Sequence, residues 1–300
     1  MPLYLYPMSF LEFLDATGNN LYREALLAHD STMEFSHIHH DSLIRLIGEY
    51  MAVGGMPEAV SSWAKTSDLH HCMEIHQNLI ETYRQDFTKY TRKLQRKYVE
   101  MVFNSIPRLT GKKFVYTSVS PDIRSRDLKP ALELLTKSGV AHVVYHSSSN
   151  GLPLGAEINP SLFKTILLDV ALSQAVLGLD YGHWILEPLK SIVNLGHITE
   201  SFVGQELLAY SSISQKKDLY YWIREKKGGK AEVDYVHPVA GNIIPIEVKS
   251  GTTGSLKSMH LFLDKKNHIP FGIQFSKNNF AQVKKIRQYP LYAVAKAVMQ

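Results

Sequence analysis

The side chains of this chain best suited to chemistry are four residues in its last third: Glu200, Asp234, Glu247 and Lys249. Glu247 and Lys249 stand two apart in the apolar run Ile-Ile-Pro-Ile-Glu-Val-Lys, and residues two apart on a strand share a face. Ile246 and Val248 then point the opposite way, and Asp234 is likewise flanked by Val233 and Tyr235, both on the other face. The turn Pro238-Val-Ala-Gly-Asn242 folds the two strands into a hairpin, which brings Asp234 opposite or diagonal to Glu247. Glu200 lies on the amphipathic helix ITESFVGQELLAYS, with Thr199 as a candidate cap. Hard oxygen donors in this arrangement suit Mg²⁺, which takes one or two carboxylates and keeps several waters. Asp234, Glu247 and Glu200 are the expected metal ligands. At a phosphodiester the ion would activate water, and Lys249 would orient the nucleophile or stabilise the charge that builds on the phosphate. The competing reading is a same-face charged pair on an edge strand, where charge discourages aggregation.

Three regions must position these residues. Residues 1–92 read as helical: Ser9 and Glu12 form an S-x-x-E start. A helical pattern runs from Asp41 to the stop at Gly54-Gly55, Met56-Pro57 begins a new element, and a long helix follows from Leu69 to about Tyr90. His37, His39 and His40 read as a polar loop before the second of these. With His70, His71 and His76 they lack the H-E-x-x-H spacing of a zinc site, so no metal is assigned to them. Residues 93–178 read as a winged helix: KYVEMVFNSIPRL as a helix, KKFVYTSV as a short extended segment, and RSRDLKPALELLTKSG as a helix starting near Leu128. VAHVVYHSS and FKTILLDVALS then form a two-stranded wing around SNGLPLG. That layout docks one helix into a DNA groove, and Arg124, Arg126 and Lys129 at the front of the second helix are candidate phosphate contacts. Their competing reading is a solvated helix start. Residues 179–300 read as an α/β domain, with LYYWIRE, AEVDYVHP, NIIPIEVKS and IPFGIQFS as strands and SLKSMHLFLDKK as a helix. PLYAVAKAVMQ closes the chain as a strand or short helix.

Composition narrows the classes. Among 300 residues, 13 Pro and 18 Gly exclude a collagen-like or low-complexity chain. The single cysteine, Cys72, excludes an intrachain disulfide framework and points to a reducing, cytoplasmic setting. No apolar run reaches the roughly 18 residues of a membrane helix, and no signal peptide stands at the start. The net charge of +5 is unevenly spread: 3 Lys/Arg face 10 Asp/Glu in residues 1–80, and 12 face 5 in residues 81–130. A basic band of that kind suits double-stranded DNA, because Lys/Arg clusters release counterions from phosphates.

The order Glu200, Asp234, Glu247-x-Lys249 resembles the PD-(D/E)xK nuclease signature. PMSFLEFL, YMAVGGMPEAV, ETYRQDFTKY, FKTILLDVALS, ITESFVGQEL, LYYW, EVDYV and IPIEVKSG together resemble a family of prokaryotic AAA-superfamily ATPases that carry a C-terminal domain of unknown function. The resemblance implies an α+β multidomain chain: a helical lid-like region of an AAA-type ATPase at 1–92, a winged helix at 93–178 and a nuclease-like domain at 179–300. The family's ATPase core would precede PMSFLEFL, and the chain has no G-x-x-x-x-G-K-[ST]. Gly111-Lys112-Lys113 and Gly229-Lys230 lack its flanking residues, so no ATP site and no ATPase activity are expected here. Ala171 also stands where the family has a glycine. Two function classes follow: a Mg²⁺-dependent DNA endonuclease or DNA-binding derivative of one, and a non-catalytic interaction module that meets other protein subunits.

Overall fold

A computed structural model describes residues 3–90, 93–180, 182–224, 231–249 and 256–299. Helix α1 (Phe10–Ala16) starts on the expected cap: Ser9 accepts from the Glu12 amide, and the Glu12 carboxylate accepts from the Ser9 amide at 2.7 Å. Then come α2 (Asn20–Ala28) and α3 (His37–Val53), which stops at Gly54 with φ of 74°. Pro57 opens α4 (Pro57–Thr66), where its missing amide costs nothing, and α5 (Leu69–Tyr90) is the long helix. His37–His40 are the first turn of α3, not a loop, because Ser36 caps the helix by accepting from the His39 amide. Cys72 is free and buried.

The basic band supplies α6 (Lys93–Leu109), α7 (Tyr116–Val119) and α8 (Ser125–Lys137). KKFVYTSV forms no strand of the sheet: it is extended at Val115 and ends in the single turn α7, with Phe114 tied to β2 by one backbone bond to the Phe163 carbonyl at 2.8 Å and by stacking on the Phe163 ring at 5.5 Å. Helix α8 begins at Ser125, ahead of Leu128. It carries Pro130 inside, since burial of Leu128, Ala131, Leu132 and Leu135 outweighs one lost amide bond. The hairpin β1 (Ala141–Ser147) and β2 (Ile158–Leu167) follows, then α9 (Val170–Leu177), capped by Asp169. Short helices α10 (His183–Leu186) and α11 (Pro188–Asn194) lead into α12 (Gly196–Ala209). Thr199 lies within α12 and does not cap it; its hydroxyl donates to the Leu195 carbonyl at 3.3 Å.

The remaining elements are β3 (Leu219–Ile223), β4 (Glu232–Val239), β5 (Asn242–Val248), α13 (Lys257–Lys265), β6 (Gly272–Ser276), β7 (Ala281–Val283), β8 (Ile286–Pro290) and α14 (Val294–Val298). The sheet strands β7 and β8 add to those expected; Lys284-Lys285 between them masks the alternation. One mixed eight-stranded sheet, ordered β2-β1-β3-β4-β5-β6-β8-β7, makes the chain α+β. Strand β1 pairs in parallel with β3, Tyr145 beside Tyr220, so the sheet runs through the 178/179 division. Helix α12 covers one face with Phe202, Val203 and Leu207. Helix α13 covers the other, where Met259, Phe262 and Leu263 meet Trp222, Val233 and Ile243. No helix among the described residues is long and apolar enough to cross a membrane.

Candidate functional site

The pairing of β4 with β5 sets Tyr235 against Ile246, and just beyond it Asp234 comes close enough to Glu247 to feel its charge. The Asp234 carboxylate accepts from the Val248 amide at 2.8 Å, which fixes the hairpin end where chemistry was expected. Lys249 donates to Glu247 Oε1 at 2.5 Å, as two residues sharing a strand face should. Val233 and Tyr235 do not share a face. Tyr220 pairs with Val236 but Trp222 pairs with Val233, so β4 holds one extra residue there. That bulge sends Val233 toward Trp222 and Phe262, and Tyr235 toward α12.

Tyr235 positions the fourth residue. Its hydroxyl donates to the Glu200 carbonyl at 2.9 Å, and it passes α12 at Gly204, where a Cβ would stand 2.5 Å from that hydroxyl. The glycine in SFVGQEL therefore makes room for the tyrosine in EVDYV.

Two further charged residues join the group. Lys164 on β2 donates to Glu200 Oε1 at 3.0 Å and is ion-paired with Glu232, while its ammonium lies 5.1 Å from the Tyr221 ring centre. Burial works against the Lys164 charge, but Glu200, Asp234 and Glu232 outweigh it and hold its pKa well above the usual lysine value. Burial, then Glu200 and Glu247, push the Asp234 carboxyl well above the ordinary range; Glu247 is raised by burial against the pull of Lys249. Glu232 was legible in sequence, since Glu-x-Asp on one strand puts both acids on one side. Lys164 announced itself only as a lone charge in the apolar strand FKTILL.

The donors are hard oxygens, the kind of ligand Mg²⁺ takes. Four carboxylates (Glu200, Glu232, Asp234, Glu247) stand against two ammoniums (Lys164, Lys249), an excess of acid that, with burial, is what raises the Asp234 and Glu247 carboxyls. Glu247 Oε2 is buried with no hydrogen-bond partner among the described residues, as is the Tyr221 hydroxyl. Among the described residues no three His, Cys, Asp or Glu side chains group to hold a metal. Ser250-Gly251 after Lys249, and Gly229-Lys230, lie outside the described residues.

Arg124, Arg126 and Lys129 are exposed at the start of α8, and Arg126 has Asp127 at 3.5 Å as an ion partner. Beside them a groove of about 430 Å³ runs between α6 and α8, lined by Tyr98, Val99, Arg126, Pro130 and Leu134. The Gly111 turn reaches the acidic group: a Cβ there would lie 3.0 Å from Glu200 Oε2. The basic band thus adjoins the carboxylates.

The GGMPEAV motif has a structural task. Asp169 accepts from the Gly55 amide at 2.8 Å and from the Ala171 and Leu172 amides at 2.9 and 3.0 Å. A Cβ at Gly54 would sit 2.5 Å from Asp169 Oδ1, and Ala171 is accommodated in the capped turn without a positive φ. Gln205 on α12 donates to the Tyr50 hydroxyl at 2.7 Å, which donates to the Met8 carbonyl at 2.6 Å. These bonds fasten the helical half to the helix that carries Glu200.

Comparison with protein families divides the chain at the start of α12. Residues 44–182 match the model of a domain of unknown function, DUF8612, and residues 195–294 match that of another, DUF4143. The first match runs from α3 through α9, across residue 92; the second holds Glu200, Asp234, Glu247 and Lys249 in a C-terminal domain of unknown function. No curated protein and no solved structure matches the chain.

Proposed function

We propose that the chain is a DNA-binding module of the PD-(D/E)xK nuclease type, cleaving phosphodiesters with one divalent ion held by Asp234 and Glu247. The observation that carries this reading is the meeting of Glu200, Asp234, Glu247 and Lys249 at the end of the β4–β5 hairpin, around a buried carboxylate oxygen without a partner. The winged-helix reading of residues 93–178 is supported by α6, α8 and the β1–β2 hairpin, with Arg124, Arg126 and Lys129 exposed on α8. It would bring double-stranded DNA to the basic side.

A bound Mg²⁺ would supply charge neutralisation and a more acidic water at the phosphate. The protein's own residues do the rest. Glu247 holds the Lys249 ammonium through Oε1, so Lys249 is placed to steady an attacking water or the negative charge that grows on the phosphate oxygens. Asp234 is anchored by the Val248 amide, which restricts its rotation and keeps its second oxygen for the ion. Tyr235 holds the α12 backbone at Glu200, setting the acidic wall of the site.

The test is Mg²⁺-dependent nicking of supercoiled plasmid. Asp234→Ala and Lys249→Ala should each abolish it while leaving DNA affinity within about threefold; unchanged nicking in both variants refutes catalysis at this site.

One observation favours a second reading, the non-catalytic interaction module of an AAA-type ATPase. Lys164 already pairs with two of the carboxylates, as expected where an acidic site has become structural. Salt-insensitive binding to a protein subunit without steeply salt-dependent DNA binding would select it.

A further inference from the structure

We propose that Lys164 is the resident cation of the Glu200 side of this site: it withholds Glu200 and Glu232 from metal and confines a divalent ion to Asp234 and Glu247. This rests on the metal-binding reading above and names what limits that site.

The geometry is specific. The Lys164 ammonium lies 3.0 Å from Glu200 Oε1 and is also paired with Glu232. Its side chain is 3% exposed, and the Glu200 side chain 15%. Tyr221, itself buried, lies under the ammonium at 5.1 Å. An ammonium at hydrogen-bond distance and a Mg²⁺ at about 2.1 Å compete for the same oxygen lone pairs. A lysine this enclosed cannot swing into water without leaving two carboxylates unpaired, so the ammonium keeps the place. The Glu247 side chain differs: it is 6% exposed and its Oε2 has no partner among the described residues, although Oε1 is bound by Lys249. Glu200 and Glu247 each give one oxygen to a lysine, but the enclosed oxygen with no partner among the described residues belongs to Glu247, on the Asp234 side. Lys164 comes from β2, in the first family-matched region, so the restraint is delivered across the β1–β3 pairing.

Lys164 acts through the carboxylates and is a positioning residue, so the readout is cation affinity, not cleavage. Mn²⁺ is titrated calorimetrically into the intact protein, with Mn²⁺-induced thermal stabilisation as a second measure. Releasing Glu200 in Lys164→Met offers the ion a further carboxylate and should tighten Mn²⁺ at least about tenfold. Adding Glu200→Gln to that variant should cancel the gain. Glu200→Gln alone should leave affinity within about twofold, because the carboxylate is not engaged with the ion. Lys164→Gln, which keeps a polar terminus for Glu232, replaces the methionine variant if circular dichroism shows that variant unfolded. The proposal is overturned if the Lys164 variant binds Mn²⁺ no more tightly than the unmodified protein, including the case in which neither binds. A tenfold loss in Glu200→Gln alone also overturns it.

Plasmid nicking, read separately, keeps the two readings apart. A tighter Mn²⁺ site in Lys164→Met without any nicking retains this inference and refutes catalysis; nicking that needs Asp234, with no gain in Lys164→Met, does the reverse.

Discussion

The most quantitative perturbation concerns Glu206, a turn and a half beyond Glu200 on α12. Its carboxyl is fully enclosed, accepting from the Phe10 amide at 2.9 Å and from the Tyr210 hydroxyl at 2.8 Å, and so ties the start of α1 to α12. Burial raises its pKa from 4.5 to about 8, against the two hydrogen bonds that favour the charged form. A folded value above the unfolded one means that its contribution to stability is complete below pH 4.5 and is lost as pH rises toward 8. The gap of about 3.5 pH units, at about 1.36 kcal/mol each, sets an upper bound of about 5 kcal/mol on the cost of ionising it in the fold. Local relaxation around the charge lowers that figure, so about 2–5 kcal/mol is expected.

Glu206→Gln keeps the acceptor for the Phe10 amide and removes the titration. Urea unfolding of both proteins at pH 5, 7 and 9 measures the difference. The unmodified protein should lose about 2–4 kcal/mol more than Glu206→Gln between pH 5 and pH 9, with most of the divergence before pH 8. Stability profiles that run parallel across this range would show that Glu206 ionises in the fold without penalty, and the desolvation argument would fail.

Packing at the site gives another test. Gly204→Ala should cost about 1–3 kcal/mol by pressing on the Tyr235 hydroxyl, and Tyr235→Phe about 1 kcal/mol; the double variant should cost less than their sum, and strict additivity in thermal melts would refute the contact. At the basic face, replacing Arg124, Arg126 and Lys129 with alanine should flatten the dependence of log K on log salt by about 0.9 per lost phosphate contact. An unchanged slope in fluorescence anisotropy would move the DNA face elsewhere. The nicking and Mn²⁺ measurements described above complete the set.

Much of this site was legible before any coordinates. The I-P-I-E-V-K alternation required Glu247 and Lys249 on one face, and the short turn at 238–242 required a hairpin, because both depend only on strand period and local turn chemistry. The Ser9 cap and the Gly54 stop were legible for the same reason. The opposed faces of Val233 and Tyr235 were not, since the β4 bulge arises from pairing with β3 and leaves the local pattern unaltered. Nor was the helical first turn at His37–His40, whose polar residues suit a loop equally well until Ser36 caps it.

Local sequence thus determined which strands and helices exist and which acids lie along them, because backbone period and capping act within a few residues. Only the tertiary structure decided what those acids face. It joined β1 and β2 to the sheet, carried Lys164 into contact with Glu200 and Glu232, and threaded the Tyr235 hydroxyl past Gly204 to the Glu200 carbonyl. These contacts close loops of dozens of residues. Their partners are selected by the burial and charge balance of the whole fold, and no local period in the chain records that choice.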